Sequence, residues 1–280
     1  MIAFDFEYFQ PTTIEDANNT FLELYASGKK VMYYGGGTEF ISRARRHEIH
    51  VDAIIDLKGI TPCNELSHSK GKVIIGAANT LTDIIQSNLF PLLTKVSRLI
   101  ATNTERNKIT IGGNITSHLI YREAIMPLLL TDSLVVISGK DGIRKAPINK
   151  ILAAGVQLQD DEFIVQIIMD DKFATYPHFN LKRTKHSKVN YPIVSLASLE
   201  VDHYIRVAIS GVCSYPFRIQ ELENALNDSS VSPHKRIQNA LSHIPEEVID
   251  DMQASADYRI FALKTAFVEL LTESERMTES

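Results

Sequence analysis

Three consecutive glycines, Gly35-Gly36-Gly37, followed by Thr38-Glu39-Phe40, are the first residues here whose types and spacing suit chemistry. A loop of this kind after a strand and before a helix leaves backbone N–H groups unobstructed. The helix N-terminus adds partial positive charge, so the segment suits a phosphate or a diphosphate. Glycine also reaches positive φ without steric cost, which lets a loop wrap round an anion. The spacing is neither GxGxxG nor a Walker A loop. By itself, a tight structural turn accounts for it equally well.

A second segment, Arg106-Asn107-Lys108-Ile109-Thr110-Ile111-Gly112-Gly113-Asn114, repeats the theme. A short extended piece is expected to stop at the glycines, with Thr110 and Asn114 able to donate to phosphate oxygens. Together the two turns suit a diphosphate held from two sides. A branched side chain at Gly36 is expected to block that approach while leaving the fold intact. His47-Glu48-Ile49-His50 is not HExxH and has no evident third ligand, so it is read as a solvated polar end. The basic run Lys182 to Lys188 reads as a solvated loop, or as a contact for an anionic cofactor or a partner subunit. Neither a Ser-His-Asp elbow nor a carboxylate pair at diagnostic spacing is present.

Strands and helices must hold these loops in place. Thr12 and Glu15 read as a capping box opening a helix that Gly28 closes. Lys30 to Tyr34 and Ala53 to Leu57 read as strands, with a helix capped by Thr38 between them. Further strands are expected at Lys72 to Gly76, Ser133 to Ser138 and Glu162 to Met169. Ser133 to Ser138 shows almost no alternation, which indicates burial on both faces. Helices are expected at 80–85, 91–100 and 122–130. Val194 to Leu199 and Tyr204 to Ser210 read as an antiparallel pair. The end is helical over 217–226, 233–241 and 254–271. In the last helix Tyr258, Phe261, Ala262, Thr265, Val268 and Leu271 are expected along one buried side, before a frayed polar tail at 272–280.

The 280 residues, 44% apolar and 22% charged, are enough for about two domains with their own cores. A net charge of −5 excludes a nucleic-acid binder that works by bulk charge. The longest apolar run, Ala124 to Leu130, is too short to span a membrane and is broken by Pro127. The acidic N-terminus is unlike a signal peptide, so a cytoplasmic protein is expected. Two cysteines cannot hold an iron–sulfur cluster, which takes about four thiolates.

In order along the chain, these segments resemble the FAD-binding medium subunit of the molybdenum hydroxylases. That family includes xanthine dehydrogenases, bacterial carbon monoxide dehydrogenases and nicotine or nicotinate hydroxylases. Phe6-Glu7-Tyr8 with Pro11-Thr12 resembles its opening. Gly35 to Phe40 resembles its AGGT(D/S)L loop, with Gly35 where Ala is usual. Ile55-Asp56-Leu57 with Ile60, and Ile74-Ile75-Gly76-Ala77 with Thr80, resemble two further stretches. Arg106-Asn107 through Asn114 is close to the family's RNxxTxGGN. Tyr191 to Ala197 resembles the start of its C-terminal domain, and Tyr258-Arg259 its usual Tyr-Arg. Glu123 stands where the family carries an aspartate, and no aromatic matches the one that often covers the ring; Ile100 lies near that place.

The resemblance implies an α+β chain. A two-subdomain FAD-binding domain of the PCMH or vanillyl-alcohol-oxidase type would take residues 1–172, with subdomains of about 1–58 and 59–172. A carbon monoxide dehydrogenase flavoprotein-like C-terminal domain, with a small antiparallel sheet and helices, would take 173–280. It implies FAD contacts from Tyr33, Tyr34, Gly35, Gly36, Gly37, Thr38, Glu39, Phe40, Thr110, Gly113, Asn114, Glu123, Ile164 and Lys182. Lys182 would lie near the flavin ring and raise its potential. The implied function is an oxidoreductase subunit that takes electrons from the [2Fe–2S] clusters of a small subunit and passes them through FAD to NAD+ or another acceptor. A large subunit would carry the molybdenum cofactor, in a dimer of heterotrimers. Two alternatives stay open: a stand-alone FAD-dependent oxidoreductase of the same superfamily, and a flavin-free scaffold subunit. The organic substrate is chosen in another chain and is not legible here.

Overall fold

The computed structural model describes residues 2–151, 155–187 and 190–278, so Lys188 of the basic run and residues 279–280 of the polar tail lie outside the described residues. The chain packs as two units. One comprises Met1–Leu89, Thr102–Ser117 and Ser133–Asp170; the other comprises Phe90–Ala101, His118–Asp132 and Asp171–Ser280.

The first unit opens with a parallel sheet of β1 (Glu7–Phe9), β2 (Val31–Tyr34) and β3 (Ala53–Asp56), in the order β1-β3-β2. Parallel neighbours need crossovers, and α1 (Ile14–Ala26) and α2 (Thr38–Arg45) supply them. The cap of α1 sits one residue later than expected. Thr13 is the N-cap and accepts from the Asp16 amide at 3.1 Å, because Asp16 occupies the third helical position. Gly28 closes the helix at φ +82°. β1 is not among the expected strands, although Phe4, Phe6 and Tyr8 alternate with Asp5 and Glu7; Glu7 and Tyr8 are exposed.

A five-stranded antiparallel sheet follows: β4 (Leu66–Ser69), β5 (Lys72–Gly76), β6 (Leu134–Gly139), β7 (Gly142–Pro147) and β8 (Phe163–Asp170), in the order β4-β5-β8-β6-β7. β6 is buried at five of its six positions, as its unbroken apolar run requires. The polar edge strands β4 and β7 give no signal in the sequence. Phe21, Ile55, Val136, Phe163 and Val165 form a core joining both sheets of this unit. Tyr33 packs against it, its ring stacked on Phe21 at 5.1 Å and tilted on Phe163 at 4.6 Å. The short helix α3 (Leu81–Ser87) starts at a capping box of Thr80 and Asp83.

The second unit holds α4 (Pro91–Arg98). Between α4 and the next helix of this unit, the chain contributes α5 (Asn103–Arg106) and α6 (Ile111–Thr116) to the first unit. α7 (Ile125–Leu130) returns to the second unit and α8 (Ile148–Ile151) to the first. The second unit then builds an antiparallel sheet from β9 (His178–Thr184), β10 (Pro192–Val201) and β11 (Tyr204–Ser210). β10 and β11 form the expected hairpin, closed by Asp202 and His203 at φ +50° and +63°, the backbone that a tight two-residue turn demands. Helices α9 (Gln220–Asn227), α10 (Pro233–Leu241) and α11 (Ala256–Thr278) complete it.

The face assigned to the last helix is corrected by the structure. Ala262 and Leu271 are buried as expected, but Tyr258, Phe261 and Val268 are exposed, and the buried stripe runs through Arg259, Ala262, Leu263, Ala266, Phe267, Leu270 and Leu271. Both stripes are apolar at helical spacing, so periodicity could not choose between them. A buried arginine masked the true one. Arg259 is fully buried because its guanidinium bonds the carbonyls of Ile193 and Gly211 and the Asp251 carboxylate, at 2.9, 2.5 and 2.6 Å. The helix also continues through Thr278, past the expected end at Leu271.

Candidate functional site

β2 and β3 run parallel with Tyr34 opposite Asp56, so both strands end at the same edge of the sheet. Open parallel sheets bind ligands beyond that carboxyl edge. The glycine loop leaves β2 there. Each of its glycines has its own reason. Gly37 is the N-cap of α2 at φ +70°, a left-handed backbone in which a side chain would also strike the Tyr34 ring. A methyl group on Gly36 would run into the carbonyl of Lys108, and one on Gly35 would meet the Thr110 hydroxyl at 2.7 Å. Thr38 is therefore the first residue of α2 and not its cap.

The second segment also differs from expectation. Thr110 pairs with Thr80 in an isolated antiparallel bridge, so it is extended as expected. The chain then turns at once into α6, and Gly112 and Gly113 lie inside its first turn. Thr110 is the cap, its hydroxyl oxygen accepting from the Gly113 amide at 3.2 Å. Gly112 lies against Ala77, where an added Cβ would sit 2.8 Å from the Ala77 carbonyl oxygen. The reason for that glycine is packing onto β5's continuation.

The structure thus brings Gly35 and Gly36 against Thr110, the cap of the helix that carries Gly113 and Asn114. The amides of Gly36, Gly37 and Thr38 make no hydrogen bond to another described residue. No side chain caps α2. Three successive unpaired N–H groups at a helix N-terminus form an anion-binding concavity. The amide oxygen of Asn114 is buried without a partner.

Other expected residues have partners within the protein. Phe40 is buried in a small core with Ala44, Val51 and Ile54. Glu39 pairs with Arg43 at 3.6 Å. Ile164 is buried on β8. The Tyr33 ring is held in its aromatic stack, and burial pushes its phenol well above the usual range. Glu48 is held by Arg46 in a two-pronged ion pair, and His50 packs on Phe4 at 4.4 Å. Among the described residues no group of His, Cys, Asp or Glu is placed to hold a metal ion.

Sequence reasoning missed Lys58. Its ammonium bonds the Gly35 carbonyl at 2.9 Å and the buried Asp56 carboxylate at 2.7 and 2.9 Å, over the face of the Tyr34 ring. The available signal was its position: it follows β3 as the glycine loop follows β2.

In the second unit, Lys182 and Glu123 form a buried ion pair at 2.8 Å. Lys182 also donates to the Leu99 carbonyl at 2.8 Å, and the Ser195 hydroxyl donates to Glu123 at 2.5 Å. Burial pushes the Glu123 carboxyl above its ordinary range, against the pull of Lys182 and Ser195. The basic run therefore begins with a paired, buried charge and not with a solvated one.

The chain is similar in sequence and fold to known proteins. Residues 4–169 match the model of a family described as the FAD binding domain in molybdopterin dehydrogenase. The chain is 24% identical to the nicotinate dehydrogenase FAD-subunit of Eubacterium barkeri, over 75% of this chain and 72% of that protein. It is 23% identical to the carbon monoxide dehydrogenase medium chain of Hydrogenophaga pseudoflava, over 92% and 93% of the two chains. Its fold superposes on the structure of carbon monoxide dehydrogenase from that organism with a TM-score of 0.86 at 22% identity, covering 95% of this chain and 96% of that one. Quinoline 2-oxidoreductase from Pseudomonas putida 86 gives a TM-score of 0.85 at 17% identity over 99% of both chains.

Proposed function

The chain belongs to the family of FAD-binding domains of the molybdopterin dehydrogenases, and on that premise we propose that the glycine loop and the Thr110–Asn114 turn hold the diphosphate and ribityl parts of FAD. The chain is an FAD-carrying oxidoreductase subunit of the molybdenum hydroxylase type. The observation that carries the assignment of the site is the run of unpaired amides at Gly36, Gly37 and Thr38 beside Thr110.

The residues present fit the group. The amides and the N-terminus of α2 offer donors and partial positive charge to a diphosphate. The buried Asn114 oxygen offers an acceptor to a ribityl hydroxyl. FAD supplies the redox chemistry when bound. This chain's own part is to bind and to orient the diphosphate. Glu123 and Lys182 stay proposed flavin-side residues on the resemblance alone, and Tyr33, Tyr34, Glu39, Phe40 and Ile164 stay proposed cofactor contacts on the same ground.

The partners proposed are a small subunit with [2Fe–2S] clusters and a large subunit with the molybdenum cofactor, in a dimer of heterotrimers of the xanthine dehydrogenase type. The direction proposed is from the clusters through this subunit to NAD+ or another acceptor, in the cytoplasm. In support, Cys63 and Cys213 are both buried with their thiols pushed up to about 12, so neither is suited to ligate a cluster. No described helix is long and apolar enough to cross a membrane. The proposed domain division remains 1–172 and 173–280, with α4 and α7 packing in the second unit although they precede residue 173.

Fluorescence titration of the apoprotein with FAD and with FMN tests the site. FAD is expected to bind at least about tenfold more tightly, a difference of about 1.4 kcal/mol, because only FAD carries a diphosphate. Equal affinities would overturn the assignment. Molybdenum and iron in the material that co-purifies with the chain, and reduction of the complex by NADH under anaerobic conditions, test the partners and the acceptor.

A further inference from the structure

Asp56 ends β3 almost completely buried, at 1% exposure, and Tyr8 and Lys58 of its own unit bond its carboxylate. Its oxygens accept from the Tyr8 hydroxyl at 2.5 Å, from the Lys58 amide at 2.9 Å and from the Lys58 ammonium. A buried carboxylate so supplied is a fixed anchor for the lysine. The ammonium spends its remaining donor on the Gly35 carbonyl and lies 4.7 Å from the Tyr34 ring centroid. Were this only a surface ion pair it would contribute little, and nothing would require it to reach across to the loop.

The consequence lies in the peptide unit that joins Gly35 to Gly36. The chain has no cis peptide bond among the described residues. In a trans peptide the C=O and the following N–H point in opposite directions. Holding the Gly35 carbonyl toward Lys58 therefore holds the Gly36 N–H away from it. The peptide therefore cannot turn over without breaking the Lys58 bond to the Gly35 carbonyl. Glycine peptides are otherwise the freest in a chain, and an anion site made of glycine amides loses affinity when those amides must first be oriented.

We infer that Lys58, anchored by Asp56 and Tyr8, is a positioning residue for diphosphate binding: it pins the Gly35 carbonyl so that the Gly36 amide is oriented in advance. This rests on the assignment of the loop to the FAD diphosphate and adds to it a device that no motif in the loop itself supplies.

The test is Lys58→Met, with affinities for FAD, ADP and riboflavin measured by titration of the apoprotein, and thermal unfolding followed by circular dichroism. FAD and ADP affinity are both expected to fall about tenfold, and riboflavin affinity to stay within about twofold, because riboflavin has no diphosphate. Asp56→Asn, which keeps the lysine's charge and loosens its anchor, is expected to weaken FAD and ADP in the same way, whereas a purely electrostatic role for the ammonium would leave their affinities unchanged or tighter. Unchanged FAD affinity in a folded Lys58→Met protein would overturn the inference, as would equal losses for FAD and riboflavin. Should Lys58→Met fail to fold, Asp56→Asn carries the same test, since it loosens the anchor and keeps the lysine. Failure of the wild-type protein to prefer FAD over FMN overturns the site assignment instead, so the two failures are distinguishable.

Discussion

At the scale of single residues, charge has to be counted with its partner. The family resemblance has Lys182 lend a positive charge, yet Glu123 offsets it within the same buried cluster. Removing one member of such a pair strands the other. Lys182→Met is expected to destabilise the protein by about 3–5 kcal/mol, read by chemical denaturation. Glu123, already raised by burial, should rise further without its lysine. Its folded value then lies above its unfolded value, so protonation favours the folded state. The variant should be most stable below the ordinary carboxylate range and lose stability as pH rises through the raised value. The double variant Lys182→Met, Glu123→Met should recover most of the loss. A single variant as stable as wild type, with no pH dependence of its own, would show that the pair contributes nothing.

At the scale of elements, the glycine loop and the turn into α6 are one packed object. The expected effect of Gly36→Val, lost binding on an intact fold, is revised by the Lys108 carbonyl that lies where the side chain would go. Backbone cannot step aside as a flexible side chain can. Overpacking of this kind costs about 1–3 kcal/mol, so the variant should lose both FAD affinity and thermal stability. Circular dichroism melting beside flavin content reads both. A melting temperature equal to wild type would restore the simpler view.

For the molecule as a whole, the residues proposed to touch the diphosphate all lie in the first unit, although the chain leaves that unit and returns between them. Ligand that binds only the folded state adds about 2.7 kcal/mol at 100 times its dissociation constant. FAD should therefore raise the denaturation midpoint, with the strongest hydrogen-exchange protection at β2, the N-terminus of α2 and α6. Protection confined to α9, α10 and α11 would place binding elsewhere and sink the site.

Much of this protein is legible in its amino-acid sequence. Local signals are strong where one residue type has one physical use: Gly28 after a helix, and Asp202-His203 between two apolar strands. The ordered motifs from Phe6 to Arg259 carry the family. Tertiary structure alone decides the rest. Each glycine of the loop answers to a different neighbour, and Lys108, Thr110 and Tyr34 are those neighbours only once the chain is folded. The polar edges β4 and β7 form because β5 and β6 offer them backbone partners, not because their side chains ask for it. Which stripe of α11 is buried depends on carbonyls at Ile193 and Gly211 that only the packed sheet presents to Arg259. Lys58 is the clearest case, an ordinary lysine in the sequence that parallel pairing of β2 and β3 sets beside the Gly35 carbonyl.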